Sequence, residues 1–330
     1  MRAIAIDRFG GPEELTLRDV EPPRAGPGEV LVRIAVAGVN YMDVYMRNGA
    51  YAKSDTYKTP LPMTIGMEGA GTVAALGDGV TGFAPGDRVA YCLSRGSYAE
   101  YAAVPAWRLV RIPPAVSFEA ATALMLQGLT AHYLTHSAFA LKPGDWCLIH
   151  AGAGGVGQLA IQLAKSCGAT VITTVGSVQK EQIARSRGAD YTILYRECDF
   201  HAELMRITGG RGVDVVYDSV GRDTIDRSIL CLRRRGLCVM FGASSGQVAG
   251  IAPLALAEAG SVFFTRPHLA DYTATAAEIG ERSEKLFSLA AAGRLDATIH
   301  AVLDLTQAGD AHRTLESRGT QGKLLLRVQD

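Results

Sequence analysis

The stretch from Trp146 to Gly157 constrains the chain more than any other. Trp146-Cys147-Leu148-Ile149 is an apolar run without charge, the pattern of a parallel strand buried on both faces. A glycine-rich turn follows, and Gln158 to Lys165 then continues with helical spacing. Val156, Leu159, Ala160 and Leu163 share one face, and Gly168 supplies a stop. Gly152, Gly154 and Gly157 thus stand at G-x-G-x-x-G positions between a strand and a helix, the context that gives the pattern meaning. Gly152 is expected to permit the tight turn, Gly154 to admit a pyrophosphate against the backbone, and Gly157 to let helix and strand pack closely. The phosphates would sit over the N–H groups at the positive end of the helix.

The next strand, Thr170 to Val175, narrows the ligand. A NAD site usually carries Asp or Glu at the end of this strand for the ribose 2′-hydroxyl. Here Gly176 and Ser177 stand there, with Lys180 close behind. No carboxylate repels a 2′-phosphate, and a small polar residue and a cation are at hand to hold one. The expectation is NADPH rather than NADH.

At 330 residues, 48% of them hydrophobic, the chain is long enough for two domains with substantial cores. No segment approaches the roughly 18 consecutive apolar residues of a membrane span. Met1 to Asp7 reads as a short strand without the apolar core of a secretory signal. A formal net charge of zero and the lack of a basic tract argue against nucleic-acid and membrane partners. Six scattered cysteines without a C-x-x-C suggest a reducing compartment and no disulfide framework. A cytoplasmic protein is expected.

Residues 1 to about 125 are dense in short strands, among them Glu29–Val36, Gly71–Leu76 and Asp87–Tyr91, punctuated by Pro- and Gly-rich turns. A partly closed antiparallel barrel accounts for this texture. Asn40 to Tyr51 forms a short helical or loop stretch holding Asn40, Asp43, Tyr45 and Tyr51. From about Ala120 strands alternate with helices: a helix over Leu124–Ala138, strands at Tyr191–Leu194, Asp214–Asp218 and Leu237–Gly242, and helices ending at Gly188, Gly209 and Gly236. This alternation argues an α/β doubly wound parallel sheet. Ligands of such sheets lie at the carboxyl ends of the strands, which brings Tyr195, Ser219 and the Gly242–Gly246 loop toward the cofactor. A helix from Pro267 to Gly293, a strand at Thr298–Leu305, a helix through Leu315 and a strand at Lys323–Val328 close the chain. Arg233-Arg234-Arg235 before Gly236 reads as the capped C-terminus of a helix. His132 and His136, one helical turn apart, lack an evident third ligand and read as surface or packing residues.

Phe9-Gly10-Gly11-Pro12-Glu13, Gly38-Val39-Asn40-Tyr41-Met42-Asp43, Gly66-Met67-Glu68-Gly69-Ala70-Gly71, Gly86-Asp87-Arg88-Val89, Tyr217-Asp218-Ser219-Val220-Gly221 and Thr265-Arg266-Pro267 together resemble the medium-chain dehydrogenase/reductase superfamily. Within it they resemble the zinc-free quinone oxidoreductases (zeta-crystallin-like), and most of all the bacterial NADPH-dependent quinone reductases. The resemblance covers essentially the whole chain. It implies a GroES-like catalytic domain over 1–125 and 266–330, a Rossmann domain over 126–265, an active site in the cleft, and a homodimer formed through the cofactor domains. By the same resemblance Lys180, Tyr195 and Arg318 would form the 2′-phosphate cluster. Asn40, Tyr45, Tyr51 and Arg266 would lie near the nicotinamide or quinone. Thr130, Gly155, Val156, Ser219, Phe241 and Ser244 would be further cofactor contacts.

The related zinc alcohol dehydrogenases carry a cysteine in the stretch that here reads Gly38-Val39-Asn40, and a histidine where Met67 stands. A catalytic zinc needs about three protein ligands, which Glu68 alone does not supply. The four-cysteine structural zinc loop is missing as well, since Cys92 is the only cysteine before residue 140. No metal is expected. Hydride addition to a quinone gives an aromatic hydroquinone anion that needs only modest stabilisation, so Asn40 and Tyr45 are expected to orient or polarise the acceptor oxygen. Two alternatives stand beside this: an NADPH-dependent reductase of α,β-unsaturated ketones or aldehydes, and an NADPH-gated RNA-binding or structural crystallin-like protein. Neutral charge counts against the last.

Overall fold

A computed structural model describes residues 1–57 and 59–329. The chain forms two compact units, Met1–Leu129 with Thr273–Asp330, and Thr130–Tyr272. The sequence-based boundaries, 125/126 and 265/266, fall a few residues short of these. Arg266 lies in the second unit.

The second unit is built on a six-stranded sheet in which every neighbouring pair is parallel. Across it lie Tyr191–Leu194, Thr170–Val175, Trp146–Ile149, Val213–Asp218, Leu232–Met240 and Phe263–Thr265. The unit's first strand is central, and the order reverses between it and Val213–Asp218, which makes that crevice the switch point of a doubly wound sheet. The central strands bury apolar side chains on both faces: Cys147, Leu148, Ile149, Val171, Ile172, Val215 and Val216 are all buried. The helix Gly155–Ser166 buries Leu159, Ala160 and Leu163, as its spacing predicts, while Val156 is only partly covered.

One expectation fails in this unit. Gly236 ends no helix: the preceding helix is Ile225–Leu230, and Leu232–Met240 is one strand running through the three arginines. Arg233 pairs with Asp214 of the neighbouring strand, and Arg235 takes a left-handed φ of 56° where the register with Val213–Asp218 is interrupted.

The first unit holds a seven-stranded, largely antiparallel sheet organised on the long strand Glu29–Val39, which pairs with Glu68–Leu76, Tyr101–Pro105 and the terminal strand Lys323–Arg327. The tail thus returns to the N-terminal sheet, with Leu325 opposite Gly38. Alternate residues Val30, Val32 and Ile34 enter a core that also takes Val89, Tyr91, Val104, Leu324 and Leu326. The helix expected from Pro267 begins later, as Ala276–Ala291. Thr275 and Glu278 form a reciprocal capping box at its start, with Glu278 N–H donating to Thr275 Oγ1 at 3.2 Å. The helix that starts at Phe118 is interrupted by two π-turns, Leu124–Gly128 before the unit boundary and Leu134–Ala138 after it.

Candidate functional site

In the nucleotide unit, the turn after Trp146–Ile149 places Ala151 in the left-handed region, with φ 56°. Gly152 has no room for a side chain: a Cβ there would lie 2.1 Å from Thr173 Oγ1, which itself donates to the Ile149 carbonyl. A Cβ on Gly157 would lie 2.3 Å from the Ala151 carbonyl, so this glycine does let the helix pack against the turn. At Gly154 the nearest atom to a Cβ is the Ala151 carbonyl at 3.2 Å, which leaves the outer side of the turn open. Gly155 begins the helix with no side-chain cap on its first N–H groups. An open glycine beneath uncapped helical N–H groups fits a dinucleotide pyrophosphate.

The end of Thr170–Val175 is equally particular. Ser177 caps the helix Val178–Ser186, its Oγ accepting from the Lys180 N–H at 3.4 Å. Tyr195, 45% exposed, brings its hydroxyl over Gly176, where a Cβ would come within 2.8 Å of it. Burial lowers the Lys180 ammonium, and the neighbouring Arg196 guanidinium lowers it further. Two cations, a phenol and a serine thus lie at a strand end that reads Gly176-Ser177 in place of a carboxylate, an arrangement suited to a phosphate dianion. Arg196 was absent from the sequence-based set, although its place directly after Tyr195 at the end of the strand was the available signal. Arg318 belongs to the other unit, where it has φ 59° and acts electrostatically on the Tyr41 phenol.

At the switch point Asp218, fully buried, organises the loop that follows it. Its Oδ1 accepts from the N–H groups of Val220 and Gly221 at 2.8 and 2.9 Å, and its Oδ2 from Ser228 and Thr224 hydroxyls at 2.7 and 2.8 Å. Phe241 N–H donates to the Asp218 carbonyl at 2.8 Å, and Ser244 N–H to the Ser219 carbonyl at 3.2 Å. Ser219, Phe241 and Ser244 are thereby brought together. Thr130 is buried in the helix Leu129–Tyr133, and Arg266 donates to the Pro267 carbonyl at 2.8 Å.

In the barrel unit, Asn40 is only 3% exposed and its carboxamide is committed at both ends. Lys323 can only donate, so the Asn40 oxygen faces its Nζ, at 2.6 Å. Nδ2 then donates to Glu68 Oε2 at 2.9 Å and to the Gly38 carbonyl at 3.4 Å. Asn40 thus anchors the start of the helix Tyr41–Arg47, and its hydrogens are spent inside the protein. Glu68 forms a fully buried ion pair with Lys323, and its other oxygen accepts from the Leu126 N–H inside the first π-turn. Met67, where a zinc enzyme has histidine, packs with Ile6, Met46 and Met63. Among the described residues no three His, Cys, Asp or Glu side chains are grouped to hold a metal. Tyr45 and Tyr51 are half-buried members of a row of rings. Successive centroids lie 6.0 Å apart for Tyr41–Tyr45, 5.4 Å for Tyr45–Tyr51 and 5.1 Å for Tyr51–Tyr57.

Residues 26–114 match the alcohol dehydrogenase GroES-like domain, and residues 155–279 match the zinc-binding dehydrogenase domain. The chain is 44% identical to quinone oxidoreductase 1 of Escherichia coli, with 98% of each chain covered. It is 39% identical to a 2-haloacrylate reductase of a Burkholderia species, with 99% of each covered. Among solved structures, the Escherichia coli quinone oxidoreductase complexed with NADPH superposes with a TM-score of 0.95 at 43% identity, covering 99% of this chain and 100% of that one. The chain belongs to the quinone oxidoreductase family of the medium-chain dehydrogenase/reductase superfamily.

Proposed function

We propose that this protein is an NADPH-dependent quinone reductase that needs no metal. The observation that carries the reading is the end of the second nucleotide-unit strand, which reads Gly176-Ser177 where a carboxylate would reject a 2′-phosphate, with Lys180, Tyr195 and Arg196 beside it. The nicotinamide supplies the hydride. The protein's part is to hold the pyrophosphate on the helix that begins at Gly155, to hold the 2′-phosphate at Lys180, and to hold the ribose side through the Ser219, Phe241 and Ser244 loops. The committed amide of Asn40 makes it a positioning residue for Tyr41–Arg47. Tyr45 and Tyr51 then offer the rings that a planar acceptor stacks on and the hydroxyls that orient its oxygen. Arg266 and Arg318 are proposed as further contacts of the acceptor and of the 2′-phosphate, and Thr130 as a cofactor contact. The fully buried Lys323–Glu68 pair supports the metal-free reading, because Glu68 already has its cation.

The acceptor-binding domain is proposed as the discontinuous barrel completed by the C-terminal tail. A homodimer is proposed through the cofactor units. Phe263–Thr265 supports it: this is an edge strand of the sheet, and Phe263 is 61% exposed on it. No helix among the described residues is long and apolar enough to cross a membrane, in keeping with a proposed cytoplasmic setting. The full-length likeness to a 2-haloacrylate reductase favours a second reading, reduction of an activated alkene. Parallel kcat/KM values for a benzoquinone and an enone, each with NADPH and NADH, test both. Preference for the benzoquinone and NADPH is expected. Preference for the enone assigns the second reading, and preference for NADH removes the role of the Lys180 corner.

A further inference from the structure

The chain's cysteines are not equivalent. Cys92, Cys147, Cys231 and Cys238 are buried, and burial pushes each thiol up. Cys198 is exposed, yet its thiol is also raised, by desolvation and then by the carboxylates of Glu203, Glu197 and Asp199. Cys167 is partly exposed, and its Sγ lies 3.8 Å from Nε2 of His136, which is partly exposed as well.

The tautomer of His136 follows from its other side. Thr135 Oγ1 donates to the Ala131 carbonyl at 2.8 Å. A hydroxyl has one hydrogen, so in the 2.8 Å contact between Thr135 Oγ1 and His136 Nδ1 the ring is the donor. The neutral imidazole then presents the Nε2 lone pair to the Cys167 thiol, the arrangement in which a base takes a thiol proton. The ring is held there by stacking on His132, with centroids 4.2 Å apart and planes at 7°, inside the π-turn Leu134–Ala138. Cys167 follows the last residue of Gly155–Ser166, about 18 Å along the helix from its phosphate-facing end. A helix C-terminus does not favour an anion, which leaves the His136 imidazole as the group placed to take the thiol proton.

We propose that Cys167 and His136 form a thiol–imidazole pair that is modified by soft conjugated electrophiles, quinones and enones, through 1,4-addition. His136 Nε2 takes the thiol proton. The sulfur lone pair forms the S–C bond at the carbon β to a carbonyl, and the displaced C=C pair moves onto oxygen. With a benzoquinone, the imidazolium returns its proton to that oxygen, and the ring C–H proton shifts to the second oxygen to give a hydroquinone thioether. The quinone is the only other reactant, and addition and ring reduction occur together. The pair is separate from the nucleotide turn, and labelling without coenzyme reads it independently of turnover.

The test uses the full chain without NADPH, substoichiometric 1,4-benzoquinone and, separately, iodoacetamide, with peptide mass spectrometry of the Cys167 and Cys198 peptides. Labelling of Cys167 is expected to outpace Cys198 by about tenfold or more, and His136→Phe to slow it by a similar factor while Cys198 keeps its rate. Continued protection of the buried Cys147 and Cys238 reports that the variant is folded, and His136→Gln serves as a second variant. Equal labelling of the two cysteines in the unaltered protein, or unchanged Cys167 labelling in both variants, overturns the proposal.

Discussion

Asp43 and His312 meet through one hydroxyl, that of Tyr98, which stands 3.3 Å from the Asp43 carboxylate and 3.1 Å from His312 Nε2. The proton order in this buried chain is fixed from its far end. Arg47 can only donate, so its 3.0 Å contact with His312 makes Nδ1 the acceptor and leaves the ring hydrogen on Nε2. That hydrogen goes to Tyr98, and Tyr98 gives its own to Asp43. The chain ties the helix Tyr41–Arg47 to Ala308–Glu316, where Arg47 also makes a bidentate pair with Glu316 at 2.9 and 3.0 Å.

The two ends titrate in opposite senses. Burial raises the Asp43 carboxyl to about 7, so its contribution to stability is full below the ordinary carboxylate range and is lost as pH rises through 7. Burial, with the Arg47 charge, lowers His312 to about 3, so its contribution is full above the ordinary imidazole range and is lost as pH falls toward 3. Between about pH 4 and 6.5 the two slopes oppose each other, each at most about 1.4 kcal/mol per pH unit. Asp43→Asn should therefore gain stability relative to the unaltered protein as pH rises from about 4 to 7, and His312→Asn should lose it. Urea unfolding at a series of pH values measures this. Parallel curves for all three proteins would contradict it.

The Lys323–Glu68 pair is buried on both sides, so removing one partner strands the other. Lys323→Met should cost about 3–5 kcal/mol, and adding Glu68→Gln should recover a large part of it. Chemical denaturation of the single and double variants checks this. A single variant within about 1 kcal/mol of the parent would show that the pair does not carry the junction.

Ser177→Asp is expected to leave thermal stability nearly unchanged, because aspartate caps a helix as serine does. It should raise KM for NADPH while sparing NADH, since a carboxylate then faces the 2′-phosphate. Equal changes for both coenzymes would place the phosphate elsewhere.

Much of this was legible in the sequence. The apolar runs at Trp146–Ile149 and Thr170–Val175 and the glycine spacing defined the nucleotide unit because parallel strands and phosphate turns leave local signatures. What stayed hidden depends on distant partners. Nothing near Lys323 says that it meets Glu68, 255 positions earlier, or that His312 meets Tyr98, 214 positions earlier. Arg233 to Arg235 imitates a helix end, and only backbone pairing of Leu232–Met240 with Val213–Asp218 and Phe263–Thr265 shows that it lies in a strand. The left-handed φ of Ala151 and the closeness of Thr173 to Gly152 are likewise set by the folded turn and not by the glycine spacing. The π-turns have no sequence signal at all, and one of them exposes the N–H that Glu68 accepts.

Lys180→Ala removes one charge-assisted contact, worth about 1.5–3 kcal/mol, or one to two decades in Kd. Fluorescence titration should show that loss for NADPH and almost none for NADH. An equal loss for both would refute the role of Lys180.

The central claim is tested most directly by the initial rate of NADPH oxidation against benzoquinone concentration, with chelator-treated and untreated protein side by side. Saturable, quinone-dependent oxidation that is identical in the two preparations is the expected result. Oxidation that does not respond to quinone, or that is lost on chelation and restored by adding a metal, would contradict it.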